Sequence, residues 1–189
     1  MKKDTILASA LELIQKFGLS SLTMDDVARH CGISKKTIYQ FFSGKDALID
    51  ELTDAFIEDE QDRLTQALEQ LPSPADQFRF MITFLFNIIE VIPYENLFVL
   101  KRKHHASYAL FESFFHSVKH TLGDIVANGL EEGLFDQRIK KDIFVENTVK
   151  QLFALHKDLK RMGRAGVYEI WKEQLFLYLT KVLYASEQP

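Results

Sequence analysis

Cysteine occurs once in the chain, at Cys31, so no intramolecular disulfide can staple the fold. A lone thiol fits a reducing compartment, and no long apolar leader precedes Asp4, so a cytoplasmic location is expected. Long apolar runs are missing as well. The segments 84–89 and 175–179 are too short to span a bilayer and both are flanked by charge, so no membrane partner is expected. Nor is there a basic excess: the formal net charge is −4, whereas a protein that coats nucleic acid indiscriminately needs the opposite sign. Any contact with DNA must therefore be local. Prolines number only four, and turn signals thin out beyond Pro74. No stretch alternates with period two for long enough to build a sheet. What remains is the apolar and charged content of an ordinary globular protein, carried in segments of helical period.

From Lys3 to Phe17 the apolar residues Ile6, Leu7, Ala10, Leu11, Ile14 and Phe17 recur at helical spacing, and Gly18 ends the run as a C-cap. The stretch from Thr23 to Lys45 then reads as two short helices around a glycine turn. Thr23 caps the first, with Asp25 and Asp26 in the turn that the helix dipole favours for carboxylates. Gly32 sits where the chain must leave it, and Ser34 caps the second, whose buried stripe is Ile38 and Phe42. Its other face carries Lys35, Lys36, Thr37, Tyr39 and Gln40. This is how a helix-turn-helix offers a helix to the major groove. Lysine can donate to guanine O6 and N7 or to phosphate, and the Gln40 amide can pair with the N6 and N7 edge of adenine. Cys31 reads as a small apolar residue behind the turn, since nothing cationic adjoins it to make a thiolate.

The same residues resemble the tetracycline-repressor (TetR) family of bacterial transcription regulators: Thr23 to Ala28, Gly32-Ile33-Ser34, Thr37-Ile38-Tyr39 with Phe42, and Lys45-Asp46-Ala47-Leu48 match its four linked sub-motifs. The resemblance implies an all-α chain of about nine helices, with a three-helix DNA-binding domain at 1–46 and an effector-binding and dimerisation domain at 47–189. It implies DNA contacts from Thr23, Ser34, Lys35, Lys36, Thr37, Tyr39, Gln40 and Lys45, with the Tyr39 hydroxyl and Lys45 on phosphate. It also implies a homodimer on a palindromic operator, released by a small-molecule effector, with no catalysis and no cofactor.

After Lys45 an amphipathic segment runs to Pro72-Ser73-Pro74, with Glu51, Asp54, Glu58, Asp59, Glu60, Asp62 and Glu69 against Arg63 alone in its later part; a solvated face accounts for it. Breaks are expected near Pro93, at 106–107, at Gly133 to Arg138 and at Gly163 to Gly166. Phenylalanines crowd 78–115, and Phe84, Phe98, His105, Phe111 and Phe115 are the candidate effector contacts. The last two helical segments are apolar around most of their girth and must be covered on both sides; the resemblance makes Val149, Leu152, Phe153, Trp171, Leu175, Leu179 and Val182 the candidate dimer contacts, the alternative being a monomeric core that buries them. The basic run Lys101 to His105 falls at a helix end where the dipole favours cations; an anionic effector is the alternative reason for it. His116, His120 and Asp124 recur every four residues and share a face. A solvated stripe explains them, while a metal-assisted hydrolase is the rival function they would carry. A third reading is a helical interaction protein without DNA binding.

Overall fold

A computed structural model describes residues 3–92, 94–161 and 165–184. Among these, nine helices follow in order: α1 (Lys3–Phe17), α2 (Met24–His30), α3 (Lys35–Phe41), α4 (Lys45–Gln70), α5 (Pro74–Val91), α6 (Tyr94–Lys103), α7 (His105–Glu131), α8 (Lys141–Arg161) and α9 (Ala165–Leu183). The all-α expectation holds, and no strand occurs among the described residues. The breaks expected at Pro93 and Gly163 fall on positions outside the described residues. The break expected at 106–107 falls earlier, at His104, between α6 and α7. Ser107 is instead inside α7, fully buried, with its hydroxyl donated to Asp50. Gly133, at φ 70°, lies in the turn after α7, as the glycine at that break suggested.

The chain forms two compact units, residues 1–62 with 94–114, and residues 63–93 with 115–189. The first contains α1, α2, α3, most of α4, α6 and the start of α7. Ile6, Ala10 and Ile14 form the buried stripe of α1, and Val27, Ala28, Ile38, Phe42, Leu48 and Ile49 extend that core through α2, α3 and the first turns of α4. Phe56 on α4 stacks on Phe111 of α7 with centroids 6.1 Å apart, and Phe111 meets Phe114 edge to face.

The second unit is organised on α5. Phe78, Met81, Ile82, Phe84, Leu85, Phe86, Ile88 and Ile89 are all buried there, which makes α5 apolar almost all round, as a central helix must be. Phe78 touches Phe144 of α8 (5.9 Å) and Phe135 of the α7–α8 turn (6.2 Å), and Phe135 meets Tyr184 edge to face (5.8 Å). The Phe135 ring lies so close over Gly129 that a Cβ there would stand 2.0 Å from it, so glycine is what lets this ring enter the core. In the turn that follows, Asp136 takes three hydrogen bonds from the Arg138 guanidinium and one from its backbone N–H. These hold the Asp136 carboxyl down to about 2.

Candidate nucleic-acid interface

The helix-turn-helix is built by local rules. The Thr23 hydroxyl accepts from the Asp26 N–H (3.1 Å) and donates to the Asp26 carboxylate (2.5 Å), closing a box over the start of α2. At its other end Gly32 takes φ 66°, its N–H reaches the Arg29 carbonyl, and the Ile33 N–H reaches back to the Ala28 carbonyl (2.9 Å). That is a Schellman closure, and only a residue at ease in the left-handed region makes it without strain. Ser34 then accepts from the Thr37 N–H (3.1 Å) to start α3.

Ile38 and Phe42 are buried, so α3 is pinned by one side and presents the other. Lys35, Lys36, Tyr39 and Gln40 are exposed on it, and Thr37 is half-buried with its hydroxyl paired to Ser34 (2.8 Å). The two lysines differ. Lys35 is paired with both carboxylate oxygens of Asp25 on α2 (2.8 and 3.0 Å), which raises its pKa further. Lys36 makes no ion pair among the described residues, so it is the cation α3 offers without first breaking a contact.

Lys45 is already engaged within the head. It was expected to meet DNA phosphate, but its ammonium is turned inward, donating to the Leu22 carbonyl (2.6 Å) and the Leu19 carbonyl (3.0 Å). The turn between α1 and α2 leaves those carbonyls without helical partners, and a buried acceptor needs a donor. Burial, and then the charge of Lys103, lower the Lys45 pKa.

Three further groups position this head, and the sequence reading did not single them out. Asn96 of α6 is buried and its side-chain oxygen accepts the Leu19 N–H (2.9 Å). His104, buried between α6 and α7, directs Nδ1 to Asp46 at 3.1 Å, and Ser107 donates to Asp50 (2.5 Å). Burial lowers the His104 pKa despite Asp46, so at neutral pH the uncharged ring donates to that carboxylate. The signal available in the sequence was a polar residue inside an apolar helix face, as with Asn96 among Leu97, Val99 and Leu100.

The remaining candidates are dispersed. Phe84 and Phe111 are buried, in the second and first unit respectively; Phe115 is half-buried against Phe153 (5.3 Å). Phe98 is 50% exposed beneath the Arg102 guanidinium, and His105 is exposed. In α8 and α9, Leu152 and Leu179 are buried in the unit's own core, and Val149, Phe153 and Leu175 are half-buried. Trp171 and Val182 are exposed, together with Ile170, Leu177 and Tyr178, which the sequence reading had not placed on the surface. His116, His120 and Asp124 line a cavity of about 520 Å³ between α7 and the start of α8, with the His120 ring paired to Asp124 (2.9 Å). Among the described residues no group of three or more His, Cys, Asp or Glu side chains is placed to hold a metal ion. No single described helix is long and apolar enough to cross a membrane.

A capped three-helix head with one face of its third helix left polar and exposed defines the helix-turn-helix class. Residues 6–52 match the family described as bacterial regulatory proteins, tetR family. That match covers α1, α2, α3 and the start of α4, so this part of the chain is similar to the family's DNA-binding region. It is similar to the HTH-type transcriptional regulator YhgD of Bacillus subtilis (32% identical over 85 residues, 44% of each chain) and to EthR of Mycolicibacterium smegmatis (31% over 87 residues, 46% of this chain and 40% of EthR). These matches span less than half the length of either relative. The fold extends over the whole chain: a regulator from Saccharomonospora viridis solved in complex with choline superposes with a TM-score of 0.84 at 15% identity, covering 96% of this chain and 97% of that one.

Proposed function

We propose that the chain is a transcriptional regulator that represses by binding a palindromic operator as a homodimer, and that a small-molecule effector releases it. The observation that carries this reading is the outer face of α3, where Lys36, Tyr39 and Gln40 stand exposed over a buried Ile38 and Phe42 in a head capped at both helices. Lys36 and Gln40 read base edges and Tyr39 meets phosphate; Thr23, Ser34, Lys35 and Thr37 flank them with side chains already engaged inside the head. Residues 1–46 are the DNA-binding domain, and 47–189 hold the effector and the dimer contacts. One head covers few base pairs, so two are needed on successive turns of the duplex, about 34 to 36 Å apart.

The exposed apolar side chains of α9, Ile170, Trp171, Leu177, Tyr178 and Val182, supply the surface for pairing, in place of Leu152 and Leu179. The choline held by the Saccharomonospora viridis protein supports a small organic molecule as the class of effector. The protein acts in the cytoplasm and needs no cofactor and no catalytic residue. The test is equilibrium binding to the DNA upstream of its own coding sequence. Lys36→Ala should weaken that binding at least tenfold at moderate salt, about 1.4 kcal/mol, and Trp171→Glu should yield monomers in sedimentation. Wild-type affinity retained by Lys36→Ala would refute the docking of α3.

A further inference from the structure

Three consecutive cations, Lys101, Arg102 and Lys103, close α6 and stand exposed. None forms an ion pair among the described residues, although the chain as a whole is acidic. Two are held in place by rings rather than by carboxylates: Arg102 lies over Phe98 (5.5 Å) and Lys101 over Tyr108 (5.3 Å). The charge-complementing pull of the helix end explains why cations are favoured there but leaves their outer hemispheres open.

Their position within the first unit gives them a partner. The residue next to Lys103, His104, is fixed against Asp46 in the first turn of α4, and Ser107 is fixed against Asp50 one turn on. Three residues, 42–44, separate the end of α3 at Phe41 from Lys45, a span of at most about 14 Å. The cationic end of α6 thus stands at the end of α4 that adjoins the reading helix. At that same end Lys45, the cation expected to face phosphate, donates two of its three N–H groups to backbone carbonyls.

We propose that Lys101, Arg102 and Lys103 form a second contact with duplex DNA, gripping the phosphate backbone beside the groove that α3 reads. This rests on the reading of α3 as a DNA-binding helix. It extends the footprint without adding sequence information, because ammonium and guanidinium groups on phosphate are indifferent to the base. On each strand a phosphate recurs every 3.4 Å of duplex axis, so long cationic side chains fanning from one helix end have several within reach.

The experiment measures fluorescence-anisotropy binding of the full chain to a labelled mixed-sequence duplex and to its upstream regulatory duplex over a series of KCl concentrations. The triple variant Lys101→Gln, Arg102→Gln, Lys103→Gln should lower the slope of log K against log salt by about 0.9 for each phosphate lost, so by two to three per protomer. Affinity for both duplexes should fall by the same factor, leaving sequence preference unchanged. A control variant, Lys140→Gln with Lys150→Gln, removes charge from the other unit and should leave the slope as it is. Equal slopes for the triple variant and wild type, or an equal loss per charge in the control, overturn the proposal while α3 keeps its role. A wild-type protein that binds neither duplex overturns the reading of α3, and this one with it.

Discussion

The two units are held together by different means. In the first, besides the stack of Phe56 on Phe111, helices from distant parts of the chain are joined by polar bonds at buried or half-buried positions: Asn96 to Leu19, Lys45 to Leu19 and Leu22, His104 to Asp46, and Ser107 to Asp50. In the second, the buried joints are chiefly aromatic, with Phe78, Phe135, Phe144 and Tyr184 interlocked and Phe115 on Phe153, and polar bonds between helices, such as Lys119 with Glu146 and Lys172 with Glu90, lie partly in solvent. Hydrogen bonds fix direction, because they fail within tens of degrees, whereas apolar contact fixes volume and tolerates sliding. Under the proposed function, a helix that must meet a groove in one orientation would be served by the first kind of joint, and a body that takes up a ligand by the second.

Breaking the aromatic joint should have the largest effect on stability. Phe78→Ala removes a fully buried ring with neighbours on two elements, and should cost about 3–5 kcal/mol in denaturant-induced unfolding. Asn96→Ala, in the polar unit, leaves the Leu19 N–H buried without an acceptor and should cost about 1–3 kcal/mol. Here the sharper readout is DNA: affinity should fall by more than the loss of folded protein explains, as the turn before α2 loses its tether. Were Asn96→Ala silent in both measurements, polar bracing of the head would be refuted. Thr23→Ala removes the α2 cap and should cost about 1 kcal/mol, read as a lower melting temperature.

The smallest effect concerns pH and has a definite sign. His104 faces Lys45, Asp46 and Asp50 from α4 and Lys103 from α6, and burial holds its pKa below the ordinary 6.5. The unfolded chain then binds the proton more readily, so the stability His104 contributes is complete above about pH 6.5 and is lost as pH falls through its lowered folded value. Melting temperatures compared at neutral and mildly acidic pH should decline less in His104→Gln than in wild type. An identical decline would assign the effect to other groups.

The head was legible in the sequence because its structure is made by neighbours. Thr23, Gly32 and Ser34 act within four residues of themselves, and the four-residue step from Ile38 to Phe42 marks the buried face of α3 without reference to anything distant. The engagement of Lys45 was not legible, because its partner carbonyls belong to a turn more than twenty residues away. Asn96 meets Leu19 across 77 residues, a pairing that no local pattern announces. For Leu152 and Leu179, apolar periodicity marked them as covered, but it cannot distinguish cover by the same chain from cover by a second copy.

The unit bearing α3 is assembled from two stretches of chain, 1–62 and 94–114. During synthesis, the first stretch emerges lacking Asn96, His104, Ser107 and Phe111, and must wait for more than thirty intervening residues before these arrive. The newborn chain therefore cannot finish the unit that carries α3 until the first stretch of the other unit, 63–93, has been made, and a fragment cut after α4 should be a poor stand-in for the isolated head.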